Sequence, residues 1–266
     1  LCEDVGGEPL PVVSGGIGGH YQSGELVPLD GMDPYVQDAI DLVECANGDT
    51  TTTWGSLRAR MGHPEPFGLK YLGIGNEQWG EEFVQREALF VEALRKHCPD
   101  IRIVGSSGPS ADGEQFEYLW PEMKRLKVDF VDEHYYKPPE WFYANAGRYD
   151  DYDRKGPKVY AGEYASHHKS KDNNFEAALS EAAFLTGVER NADVVRLATY
   201  APLLAHVDAW QWRPDMIWFD NSRVLLTPNY YVQQLYSLHK GTHALRLTEN
   251  GAAVKGQEGL YASAVY

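Results

Sequence analysis

Two glutamates stand at or near the ends of short apolar runs. Glu77 closes Tyr71-Leu72-Gly73-Ile74-Gly75-Asn76-Glu77, and Glu163 lies in Val159-Tyr160-Ala161-Gly162-Glu163-Tyr164. A run of this kind reads as a strand buried on both faces, and packing gives no reason to place a carboxylate at its end. A single such glutamate is usually a solvated loop residue. Two of them, each in a glycine-opened, aromatic-flanked setting, are better explained as a paired-carboxylate active site.

The elements that must position this pair alternate along the chain. Strands are expected over 8–14, 69–75, 101–106, 128–134 and 157–163, with a less definite one between 207 and 219. Helices are expected over 34–47, 80–97, 113–126, 174–190 and 229–239. In the segment 80–97, Phe83, Leu89, Phe90, Val91 and Leu94 fall mostly on one face, as an amphipathic helix requires. Such alternation means either a doubly wound sheet or a (β/α) barrel. The phosphate loop of a dinucleotide fold is missing. Gly15-Gly16-Ile17-Gly18-Gly19 follows the first strand, but no helix start and no ribose-binding acid fit it, so it reads as a flexible loop and no cofactor is expected. A barrel of ~250 residues uses roughly 31 per βα unit, which sets Glu77 and Glu163 about three strands apart, across the mouth from each other. Six strand candidates are too few to close a ring of eight.

Composition narrows the classes. The chain has 266 residues, 43% of them hydrophobic and 24% charged. No apolar stretch approaches the ~20 residues of a membrane span. A formal charge of −15 disfavours nucleic acid and anionic membranes as partners but not a neutral ligand. Three widely spaced cysteines, Cys2, Cys45 and Cys98, define neither a disulfide framework nor a zinc motif and read as buried free thiols. His167-His168 has no companion at metal-ligand spacing, and no His-Glu-x-x-His occurs, so no metal is expected. The 12% aromatic content, with 7 Trp and 17 Tyr, suits an aromatic-lined cleft as well as a core.

Three motifs carry a resemblance. Gly75-Asn76-Glu77-Gln78-Trp79-Gly80, Asp132-Glu133-His134-Tyr135-Tyr136 and Ala161-Gly162-Glu163-Tyr164 resemble the active-site strands of retaining glycosidases of clan A. The closer match is to the α-L-arabinofuranosidases of glycoside hydrolase family 51, through the stretch from Leu185 to Asn191, Ala198-Thr199-Tyr200-Ala201-Pro202-Leu203, Trp210-Gln211-Trp212 and Asp220-Asn221. The resemblance covers nearly the whole chain. It implies a TIM-type (β/α)8 barrel represented by about strands three to eight, so that 1–240 is a partial catalytic barrel and 241–266 begins a C-terminal β-sandwich. On this reading Leu1-Cys2-Glu3-Asp4-Val5-Gly6-Gly7 is the tail of a helix already under way, and any targeting segment would precede it.

The same resemblance implies roles. The clan's acid/base glutamate follows an asparagine at the fourth strand, which matches Glu77, and its nucleophile ends the seventh, which matches Glu163. Retention needs the two carboxyl groups ~5–5.5 Å apart, too close for an intervening water. Asn76 is expected to bond the sugar 2-hydroxyl, while His134 and Tyr136 orient the nucleophile and the sugar. Trp79 and Trp212 are candidates to stack on sugar rings. Some relatives place a sugar-contacting glutamine near Pro202, a role that falls here to Gln211. Strand alternation turns Glu133 away from His134, toward a salt bridge on the outside of the strand. The expected substrate is an arabinose-containing oligo- or polysaccharide, with release of terminal α-L-arabinofuranose, and a homo-oligomer is consistent with the family. Two alternatives stay open: another clan A specificity, β-xylosidase or endoglucanase, and an inactive binding or interaction module.

Overall fold

A computed structural model of the chain describes residues 2–266. Leu1 lies outside the described residues. Contacts divide the chain into two compact units, one up to Asp132 and one from Glu133.

The first unit alternates strand and helix: β1 (Val12–Val13), α1 (Asp33–Asn47), α2 (Thr53–Arg60), β2 (Tyr71–Ile74), α3 (Glu81–His97), β3 (Arg102–Ser106) and α4 (Glu114–Leu126), followed by the start of β4 (Phe130–Lys137). Each of these strands pairs in parallel with the next, so every connection is a helical crossover. The crossover helices are written in the sequence. α3 opens with Glu81 and Glu82 and closes with Arg95, Lys96 and His97, which matches the helix dipole at both ends. Its Phe83, Phe90 and Leu94 are fully buried with Leu72 and Ile74 of β2 and Ile103 of β3. Within Cys2–Gly6 the chain forms turns, so the expected helix tail is not seen among the described residues.

The second unit takes up β4 and adds α5 (Pro139–Ala144), β5 (Lys158–Ser166), α6 (Phe175–Arg190) and β6 (Val195–Ala198). The strands follow sequence order, β1-β2-β3-β4-β5-β6, in a parallel sheet of the (β/α)-barrel type. A smaller sheet of β7 (Leu204–His206), β8 (Ile217–Phe219) and β9 (Val224–Leu226) precedes α7 (Pro228–Leu238). The last strands form two ribbons: β10 (Ala244–Leu245) pairs with β13 (Ala264–Val265), and β11 (Thr248–Glu249) with β12 (Ala252–Ala253). The core of this unit is aromatic. Tyr135, Trp141, Phe142, Tyr149 and Phe184 pack ring against ring between β4, α5 and α6. α6 is held at its start by Asn174, whose side-chain oxygen accepts the Ala177 N–H at 2.9 Å.

Two sequence expectations change here. Cys2 is exposed and Cys45 and Cys98 are half-buried, so the three free thiols are not core residues. Glu133 is fully buried, not on a solvated outer face. Its Oε2 accepts from the Tyr135 and Tyr149 hydroxyls at 2.7 and 3.0 Å, and its Oε1 from Tyr152 at 2.9 Å. The expected salt bridge does exist, to Arg148 Nε at 3.2 Å, inside this cage. Burial works against the Arg148 charge, but Glu133 and the surrounding phenols hold its pKa above the usual arginine value. Alternation did turn Glu133 away from His134; the layer it meets there is the aromatic core, not water.

Candidate active site

In the first unit the chain leaves β2 through a sharp turn. Gly75 has φ +69°, and a Cβ there would press on the Gln78 amide and the Phe83 ring, so only glycine fits. Glu77 follows at φ +51°, a left-handed conformation uncommon outside glycine and often found at functional positions. Asn76 beside it is exposed and Glu77 is half-buried. Gln78 turns inward, buried, and its Nε2 donates to the Ile17 carbonyl at 3.0 Å. That bond fastens the glycine-rich segment after β1, which is an ordered loop closed by an Ile17–Leu26 bridge. Trp79 packs within the unit: its ring lies 4.0 Å from that of His20 and 5.3 Å from that of Tyr21.

In the second unit β4 and β5 bring three of the expected residues together. Both strands extend beyond the predicted ends, so His134, Tyr136 and Glu163 stand on regular strand just short of its carboxyl end. His134 and Tyr136 share one face of β4 through alternation, opposite the caged Glu133. Tyr136 donates its hydroxyl to Glu163 Oε2 at 2.6 Å, and His134 Nδ1 lies 3.6 Å from the same oxygen. The His134 ring is buried whereas Glu163 is half-buried, so the carboxylate is both fixed and reachable. A short hydrogen bond from a phenol fixes the orientation of the carboxylate.

The surroundings of Glu163 include residues to which the sequence assigned no role in the site. His167 stacks on the Tyr136 ring at 5.2 Å, and its backbone N–H donates to the Lys137 carbonyl at 2.8 Å. Burial, then Lys171, lowers the His167 pKa, which keeps this ring neutral. Thr199, just past β6, donates to the Gly162 carbonyl at 2.7 Å, directly before Glu163. Behind β5, Glu181 of α6 accepts the Ser166 N–H at 2.7 Å, and burial pushes its carboxyl up to about 8. Gln211 and Trp212 stand in the segment between β7 and β8, where Trp212 is 64% exposed.

A parallel sheet with helical crossovers, carrying the held Glu163 carboxylate near the carboxyl end of β5, defines a (β/α)-barrel-type scaffold. The α-L-arabinofuranosidase 1 domain model matches residues 1–154, and the α-L-arabinofuranosidase C-terminal domain model matches 149–259. The chain belongs to the α-L-arabinofuranosidases of glycoside hydrolase family 51. It is 48% identical over 242 residues to an extracellular exo-α-L-arabinofuranosidase of Streptomyces chartreusis, covering 91% of this chain and 29% of that protein. It is 38% identical over 253 residues to α-L-arabinofuranosidase 2 of Arabidopsis thaliana, covering 94% of this chain and 36% of that one. Among solved structures, an arabinose-bound MgGH51 α-L-arabinofuranosidase superposes with a TM-score of 0.82 at 33% identity, over 91% of this chain and 39% of the other. The chain thus spans well under half the length of these relatives.

Proposed function

We propose that the protein carrying this chain is a retaining glycoside hydrolase that releases terminal α-L-arabinofuranose from arabinose-containing oligo- or polysaccharides. The observation that carries the reading is the Glu163 carboxylate, reachable and gripped on one oxygen by Tyr136. A nucleophile needs this setting: fixed in orientation and open to substrate. Membership of a family of arabinofuranosidases supplies the sugar. The domain reading stays with it, 1–240 as part of the catalytic barrel and 241–266 as the beginning of a β-sandwich.

In the first step Glu163 attacks the anomeric carbon and forms a glycosyl ester, while Glu77 gives its proton to the departing oxygen. In the second, Glu77 takes a proton from water, the water oxygen bonds to the anomeric carbon, and Glu163 leaves as a carboxylate. Glu77 follows β2 in a left-handed conformation, and Gln78 anchors that turn to Ile17. Asn76, exposed beside it, is the donor for the 2-hydroxyl. Trp79, Trp212 and Gln211 are assigned to the remaining sugar contacts. No metal or cofactor enters the scheme.

Two measurements on the full-length protein test this. Rates on 4-nitrophenyl α-L-arabinofuranoside, β-D-xyloside and β-D-glucoside should favour the arabinofuranoside, and NMR of the first-formed sugar should show the α anomer. Preference for the xyloside or glucoside would reassign the sugar. A β anomer formed first would exclude double displacement.

A further inference from the structure

The loop between β1 and α1 reaches the carboxyl end of β2 and places two side chains there that the reaction above does not use. The Trp79 backbone N–H donates to His20 Nδ1 at 3.3 Å, and the two rings lie 4.0 Å apart. Because Nδ1 accepts, the imidazole carries its proton on Nε2. Burial lowers the His20 pKa against the opposing pull of Glu82, so the ring keeps this neutral form. Tyr21 meets the Trp79 ring edge-on at 5.3 Å while 74% of its surface stays exposed. Partial burial, then the Glu77 carboxylate, push the Tyr21 phenol up, so its hydroxyl stays protonated.

These contacts make an ordered, solvent-facing aromatic surface two residues from Glu77. The loop beneath it is pinned at Ile17 by the Leu26 bridge and by Gln78. Tyrosine held in this way offers a large apolar face and a polar tip at small entropic cost. Its side of the reaction follows from the assignment of Glu77. The acid gives its proton to the oxygen of the leaving group, so a surface within reach of Glu77 is also within reach of the group that departs.

We propose that Tyr21, backed by Trp79 and His20, is a stacking subsite for the sugar ring of the leaving group, a pyranose of the glycan from which arabinofuranose is removed. This rests on the hydrolase reading above and adds the part of the substrate that the loop recognises. The loop would then favour glycan-linked arabinose over arabinosides with small leaving groups.

The test compares the full-length protein with its Tyr21→Ala and Tyr21→Phe variants on two substrates: an arabinofuranosyl-xylotriose and methyl α-L-arabinofuranoside, whose leaving group has no ring. The ratio of kcat/KM between them should fall roughly fivefold to tenfold in Tyr21→Ala, mainly through KM on the oligosaccharide, as loss of one stacking contact predicts. Tyr21→Phe should keep most of the ratio. An unchanged ratio in Tyr21→Ala, or equal losses on both substrates, overturns the subsite. A wild-type protein that cleaves neither glycoside overturns the hydrolase reading itself, and the subsite with it.

Discussion

Tyr136 on β4 donates its hydroxyl to Glu163 on β5 at 2.6 Å, joining two strands through the residue assigned as nucleophile. The bond fixes one carboxylate oxygen, so the other can be presented to a reacting carbon. The same strand turns its next side chain toward the protein interior, where Tyr135 helps cage Glu133. One face of β4 therefore holds the Glu163 carboxylate and the opposite face anchors the strand.

Removal of the phenol should cost turnover more than folding. A hydrogen bond to a charged group contributes about 1.5–3 kcal/mol, so Tyr136→Phe should lower kcat/KM roughly tenfold to hundredfold. Steady-state kinetics on an aryl arabinofuranoside, with circular dichroism to confirm the fold, measure this. A variant within twofold of wild type would remove Tyr136 from the machinery.

Loss of the cation in the cage should unfold the protein more easily. Arg148 lies over the Tyr135, Trp141 and Tyr149 rings and pairs with the fully buried Glu133. Breaking a buried pair from one side typically costs about 3–5 kcal/mol. Arg148→Met should shift the urea midpoint down accordingly. The double variant Glu133→Leu/Arg148→Met should recover part of the loss, because no charge is then stranded. A midpoint unchanged in the single variant contradicts the buried pair.

Glu181 gives the protein a pH-dependent stability with a definite sign. Burial raises its folded value from 4.5 to about 8, so between those values the native state keeps a proton that the unfolded chain releases. Stability from this group therefore falls as pH rises from 4.5 toward about 8, and is lost no further above it. Glu181→Gln, which retains an oxygen for the Ser166 N–H, should flatten that slope: little change near pH 4.5 and a growing gain in Tm toward pH 8. A Tm difference independent of pH would contradict the raised value.

Close packing of α6 against the chain after α5 is tested by one methyl group. A Cβ at Gly187 would fall on the Ala146 carbonyl, a backbone atom that cannot swing aside. Gly187→Ala should destabilise by about 1–3 kcal/mol through overpacking, despite the better helix propensity of alanine. Thermal unfolding decides the sign, and a rise in Tm would show the contact to be looser than described.

Periodicity carried most of the architecture. α3 was legible because its apolar residues keep helical spacing and its charges match the dipole. β2 and β5 were legible because glycines and aliphatics run together without charge until the glutamates. β6 was missed: it has only four residues, with Arg196 inside it, so the apolar run is broken. α2 was missed because Trp54, Gly55 and Ser56 give no amphipathic stripe. Within the candidate site, the family resemblance singled out His134 and Tyr136, and alternation turned Glu133 away from His134. It could not say that the other face was a tyrosine cage, since Tyr149 and Tyr152 arrive from a loop. His20 and Tyr21 also sit on a loop whose glycines erase periodicity. The one local signal, Gly-Gly-His-Tyr after a strand, gains meaning only once Ile17 is tied to Gln78.

The division of labour proposed for the glutamates is tested most directly by azide rescue in the full-length protein. Glu163→Gly should lose hydrolysis of an activated aryl α-L-arabinofuranoside. Azide should restore turnover and yield the β-arabinofuranosyl azide, formed by a single inversion. Glu77→Gly with the same substrate should yield the α-azide, because the enzyme-bound ester still forms first. A β-azide from Glu77→Gly and an α-azide from Glu163→Gly would contradict the assignment outright.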